Sequence, residues 1–101
     1  MVAAIEERKA QVQELCKRYR VRTLYVFGSA ARDAMTDESD IDLLVDFQDP
    51  VIPGYANRYF GLLEGLEDLF ARPIDLVVER AIRNPYFRES VEESRVLLYA
   101  A

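Results

Sequence analysis

Three short segments rich in Val, Leu, Ile, Tyr and Phe, residues 22–27, 41–47 and 73–79, alternate along this chain with stretches of helical spacing. That alternation restricts the fold to a small sheet with helices laid against it. Residues 3–19 carry Ile5, Val12, Leu15, Cys16 and Tyr19 on one stripe, which predicts a helix. Gly28-Ser29 ends the first strand, and residues 30–34 leave room for only a turn or two of helix. Asp49-Pro50 and Pro53-Gly54 mark a loop. Helical spacing then returns over residues 55–70 through Tyr59, Leu62, Leu63, Leu66, Leu69 and Phe70. Pro73 suits the first position of the third strand. Asn84-Pro85 reads as an N-cap followed by Pro at the first helical position, opening a helix that runs to about Ser94. The apolar residues 96–99 fit either a strand or a docked tail. The expected class is α/β (α+β): a small mixed sheet of about three to four strands covered by helices, forming a single domain over residues 1–101.

What the chain lacks narrows its chemistry. Histidine is absent, which removes Ser-His and Cys-His nucleophilic machinery and the usual zinc ligand. The single cysteine, Cys16, excludes an internal disulfide and a Cys-based zinc site. Chemistry must therefore rest on carboxylates, hydroxyls, Lys or Arg, and backbone groups. A net charge of −5 argues against a protein whose main task is gripping nucleic-acid backbone, so no direct nucleic-acid partner is expected. Residues 1–7 are short, mixed and carry two acids, unlike a signal peptide. No apolar run approaches the ~20 residues that span a bilayer, so the expectation is a cytoplasmic protein without a membrane partner.

The informative stretch is Val26-Phe27-Gly28-Ser29-Ala30-Ala31-Arg32, followed by Ser39-Asp40-Ile41-Asp42-Leu43-Leu44-Val45. Alternation in a strand points Asp40 and Asp42 one way and Ile41, Leu43 and Val45 into the core. The two acids would sit roughly 6.5 Å apart, close enough to share one cation or a pair. Asp46 shares that face but lies ~13 Å from Asp40, too far to join the same centre. Like charges on one face repel, and hard divalent cations with oxygen ligands relieve that repulsion. Asp75 is the lone acid in the apolar run Ile74-Asp75-Leu76-Val77-Val78 and completes a three-carboxylate cluster if the third strand lies beside the second. Such clusters hold the ion pairs of two-metal phosphoryl transfer. Gly28 after a strand lets the backbone approach phosphate oxygens, and the turn that follows offers N–H groups. The Ser29 hydroxyl and the Arg32 guanidinium can reach the same phosphates, while Ser39 can cap or orient the loop before Asp40. Taken singly each feature has an ordinary structural explanation; their combination and order do not.

That combination resembles the nucleotidyltransferase superfamily that includes DNA polymerase β, and within it the minimal nucleotidyltransferase (MNT) branch. The pattern there is Gly-Ser, a spacer, Asp-x-Asp and a later third Asp, matched by Gly28, Ser29, Asp40, Asp42 and Asp75. The likeness extends through "FGSAAR", "SDIDLLVDF", "IDLV" and "NPYFRESV…LLY", nearly the whole chain. Asp33 departs from it, standing where related sequences often carry Gly. The resemblance implies a nucleotidyltransferase fold, two Mg²⁺ ions held by Asp40, Asp42 and Asp75, and ATP gripped by Gly28, Ser29, Arg32 and Ser39. It further implies the antitoxin half of a toxin–antitoxin pair, transferring AMP to a tyrosine hydroxyl of a HEPN-type ribonuclease toxin within a hetero-oligomer. The competing expectations are an antitoxin acting by occlusion alone, a transferase for a small molecule, and a regulatory nucleotide-binding subunit. The basic residues Lys17, Arg18, Arg20 and Arg22 suit either an acidic partner or the C-terminal end of the first helix. Tyr25, Tyr55 and Tyr59 suit either adenine stacking or the core.

Overall fold

In a computed structural model, which describes residues 3–31, 40–49 and 53–101, the N-terminal apolar stripe forms two helices rather than one. They are α1 (Ala3–Glu7) and α2 (Lys9–Arg18), interrupted at Arg8. The Arg8 N–H turns to the Ile5 carbonyl at 3.2 Å, and the Ala4 carbonyl it would use in an unbroken helix accepts instead from Arg8's own Nη1 at 3.3 Å. The side chain thus takes over a backbone partner, and the helix breaks without leaving that carbonyl orphaned.

The remaining elements are β1 (Val21–Phe27), α3 (Gly28–Ala31), β2 (Ile41–Phe47), α4 (Tyr55–Phe70), β3 (Ile74–Val78), a 3₁₀ turn (Glu79–Ala81), α5 (Pro85–Ser94) and β4 (Val96–Ala100). The sheet runs β3-β2-β1-β4. β1 is antiparallel to both β2 and β4, and β2 is parallel to β3. The C-terminal apolar residues are therefore a strand, recruited by the side of β1 that β2 leaves unpaired. Asn84 caps α5 as expected, its Oδ1 accepting from the N–H groups of Tyr86 and Phe87, and Pro85 occupies the first turn, where its missing N–H costs nothing.

The sheet is covered on both faces. On one, Leu24, Val26, Ile41, Leu43, Val45, Phe47, Ile74, Leu76 and Leu98 pack with Ile5, Val12 and Cys16 of the first two helices and Leu62 and Leu66 of α4. Burying a side chain such as Leu62 or Leu66 stabilises the fold by roughly 1.5–3 kcal/mol each. α2 and α4 approach closely because Gly61 lies against the Tyr19 ring, where a Cβ would meet a ring carbon at 2.5 Å. Cys16 is fully buried, and burial pushes its thiol up to about 12, so it packs rather than reacts. The other face holds a smaller core of Phe27, Leu44, Ile82 and Val91, with Tyr25 and Val77 packed against it. Since Leu44 and Val77 share strand parity with Asp42 and Asp75, both acids project on this second face.

Candidate active site

Strand register builds the site. Phe27 of β1 is opposite Asp42 of β2, and Asp42 is opposite Asp75 of β3. The turn at the end of β1 and two carboxylates therefore lie side by side across three neighbouring strands, which are spaced about 4.8 Å apart. The parallel pairing that sets this register begins with Ile41 N–H donating to the carbonyl of Pro73 at 3.2 Å. Pro73 has no N–H to offer but accepts normally, so it suits the strand's opening.

Gly28 is required twice. Its φ is +68°, a conformation that strains any residue with a Cβ. A Cβ there would also fall 2.5 Å from Asp42 Oδ2. Backbone and carboxylate share this space only because the side chain is missing. Ser29 follows, half-buried in α3. The Gly28 N–H donates to Ser94 Oγ at 3.2 Å.

Asp42 is half-buried, while Asp40 and Asp75 are exposed. The Asp42 carboxyl is held above the usual carboxylate range, first by burial, then by the negative charges of Asp75 and Asp40. Three acids concentrate charge that no described cation offsets at Asp42. All donors are carboxylate oxygens, the chemistry that hard divalent cations select, so the residues fit the Mg²⁺ that the resemblance implies. Their side chains are not drawn together around one point: among the described residues no three acids are gathered as a formed metal cage. Arg32 and Ser39, the other expected phosphate-site residues, lie outside the described residues, as does Asp33.

Asp46 takes a different part. It pairs with Arg80 Nε at 2.9 Å and Arg22 Nε at 3.4 Å, tying β1, β2 and the 3₁₀ turn together. The other basic residues of the expected cluster are spread out, Arg20 on Asp49 and Lys17 beside Glu14. The three tyrosines suggested for base stacking are engaged as well. Arg95 stacks over Tyr25 at 4.6 Å, Tyr55 packs edge-on to Phe47, and the Tyr59 hydroxyl donates to the Leu76 carbonyl at 2.6 Å. Tyr59 thereby reaches β3 next to Asp75, and its phenol is raised by burial and then by the Asp75 charge. Sequence reasoning missed Ser94 altogether. It lies 66 residues from Gly28, and nothing in local spacing links the two.

Comparison with known proteins places the chain in a family and fold. The family described as "Nucleotidyltransferase domain" matches residues 8–98. A Methanocaldococcus jannaschii protein, provisionally named a protein adenylyltransferase, is 42% identical over 82 residues, 81% of each chain. Protein adenylyltransferase MntA of Thermococcus cleftensis is 37% identical over 75 residues, 74% of this chain and 73% of that one. A solved structure provisionally described as a minimal nucleotidyltransferase superposes with a TM-score of 0.76 at 33% identity, covering 91% of this chain and 90% of the other. The fold is also that of the chain matched in a complex of a tri-AMPylated Shewanella oneidensis HEPN toxin with its MNT antitoxin, with a TM-score of 0.66 and 18% identity over 95% of this chain and 72% of that one. No helix among the described residues is long and apolar enough to cross a membrane.

Proposed function

The chain belongs to the nucleotidyltransferase domain family, and from that premise we propose that it transfers AMP from ATP to a tyrosine hydroxyl of a HEPN-type toxin, neutralising that toxin as its antitoxin. The observation that carries this reading is the Gly28–Asp42–Asp75 row across β1, β2 and β3. The names of its relatives support protein as the acceptor, and the complex of an AMPylated HEPN toxin with an MNT antitoxin supports the partner class.

Asp40, Asp42 and Asp75 would hold Mg²⁺, two ions on this reading. When bound, such ions would supply charge for the triphosphate and would lower the pKa of the attacking hydroxyl from its ordinary value near ~10. The chain's own groups do the rest. Ser29, set by the Gly28 turn, hydrogen-bonds the β- and γ-phosphates, and Arg32 adds a guanidinium. Asp75, exposed on the outer strand β3, faces the arriving acceptor and takes the hydroxyl proton. The acceptor oxygen bonds to the α-phosphorus, the α–β anhydride bond breaks, and pyrophosphate leaves with that electron pair.

Intact-mass spectrometry tests the proposal. A candidate HEPN-type partner is incubated with the protein, ATP and Mg²⁺. Mass gains in whole AMP units, absent with the Asp40→Ala/Asp42→Ala double variant, are the expected result. A stable complex without any mass gain would mean inhibition by occlusion, and a modified small molecule in place of the protein would mean a different acceptor class.

A further inference from the structure

We propose that Ser94, the last residue of α5, is a positioning residue for the Gly28-Ser29 turn; this rests on the nucleotide-binding reading above. Its hydroxyl faces two ways. The hydroxyl hydrogen goes to the Ser90 carbonyl at 3.3 Å, one turn back along α5. A hydroxyl has one hydrogen, so only its lone pairs remain for other partners. They accept the Gly28 N–H at 3.2 Å. The bond to Ser90 is ordinary for a serine at a helix end. The bond to Gly28 is not local: it joins the C-terminal end of α5 to the turn that follows β1.

Gly28 is the residue in that turn that most needs holding. Having no Cβ, it rotates with little resistance, and its φ of +68° is one of several conformations open to it. On one side the Asp42 carboxylate closes the space where a Cβ would stand. On the other, Ser94 fixes the direction of the amide. The ring of Phe27, one residue earlier, packs edge-on against Phe87 of the same helix at 6.0 Å. α5 therefore grips this turn by one apolar and one polar contact.

The Gly28 N–H is spent on Ser94, which leaves the N–H and hydroxyl of Ser29 as the next donors a triphosphate can meet. Ser94 sets their direction before the ligand arrives, so ordering the turn is not charged to binding. Loss of one oriented neutral hydrogen bond corresponds to about 3- to 10-fold in affinity.

The test is calorimetric titration of ATP with Mg²⁺ into the wild type, Ser94→Ala and Ser94→Thr. Hydrogen exchange at the Gly28 amide, followed by NMR, and thermal melts accompany it. Ser94→Ala is expected to bind ATP about 3- to 10-fold more weakly, to lose protection at Gly28 and to melt close to the wild type. Ser94→Thr, which keeps the hydroxyl, restores both affinity and protection. Unchanged ATP affinity in Ser94→Ala overturns the proposal, as does Gly28 protection that survives the loss of the hydroxyl. Weak binding that tracks a fall in melting temperature and is not rescued by Thr also overturns it, in favour of a purely structural serine. A wild type that binds no ATP removes the nucleotide reading itself, and the proposal with it, an outcome distinct from the other three.

Discussion

Asp42 and Asp46 are the same residue type on one strand and one face, and their surroundings are opposite. Asp46 is mostly covered and meets two arginines, Arg22 from β1 and Arg80 from the 3₁₀ turn. Asp42 meets Asp75 across the strand pair and Asp40 along the chain, and its carboxyl is raised as a result of burial and that repulsion. One end of β2 neutralises its acid from within the chain. The other gathers acids that no cation among the described residues pairs. A side chain's role is decided by the neighbours the fold brings to it, and on the proposed function two identical residues four positions apart divide between stability and chemistry.

The sharpest way to break that division is to truncate each acid. Asp42→Ala is expected to cut AMP transfer by on the order of 10²-fold or more while the chain stays folded, read by the rate of mass gain on the partner. Asp46→Ala should leave the rate near that of the wild type. Transfer persisting in Asp42→Ala would remove it from the site, and a matching loss in Asp46→Ala would erase the contrast. Gly28→Ala comes next. A Cβ at φ +68° and 2.5 Å from Asp42 Oδ2 should cost about 1–3 kcal/mol, lowering Tm by roughly 4–8 °C per kcal/mol in a domain of this size. Part of that cost belongs to the carboxylate and part to the backbone. In an Asp42→Ala background the clash is gone, so Gly28→Ala should then cost less. Equal costs in both backgrounds would place the whole penalty in the backbone.

Much of this arrangement was legible because it is written locally. Helical spacing gave α4, the Asn-Pro pair gave the start of α5, and the lone acid in Ile74-Asp75-Leu76 pointed to a strand beside β2. The row of Gly28, Asp42 and Asp75 needed only strand parity and one assumption of adjacency, which the register meets. What escaped was decided at a distance or by single-atom geometry. The break at Arg8 depends on which carbonyl its guanidinium finds. The choice of strand over tail for residues 96–100 depends on the side of β1 that β2 leaves unpaired. The partners of Asp46 come from positions 22 and 80, and that of Gly28 from position 94. Nor does spacing reveal that Tyr25 lies beneath Arg95.

Asp46 sharpens the comparison at a smaller scale. Both arginines are about half exposed, 54% for Arg22 and 52% for Arg80, so each pair should contribute only ~0.2–1 kcal/mol. Asp46→Ala should therefore lower the urea midpoint modestly, and added salt should shrink the difference from the wild type. A difference indifferent to salt would mean that packing, not charge, is lost.

The smallest effect has the opposite sign. In the folded chain Asp42 keeps its proton to a higher pH than in the unfolded chain, because burial, Asp75 and Asp40 disfavour the charged form. Over the window just above the ordinary carboxylate value, the native state thus binds more protons than the unfolded one. Stability falls as pH rises through that window, and the penalty is complete at neutral pH. Asp42→Asn carries no such penalty. With a chelator present it should melt slightly above the wild type near pH 7, the gap closing as pH drops below the ordinary carboxylate value. Added Mg²⁺ should then raise the melting temperature of the wild type and leave Asp42→Asn largely unmoved, since bound cation stabilises only a chain that can hold it. If Mg²⁺ stabilises both alike, the acids at this end of β2 are not its ligands, and the contrast between Asp42 and Asp46 reduces to one of ion pairing alone.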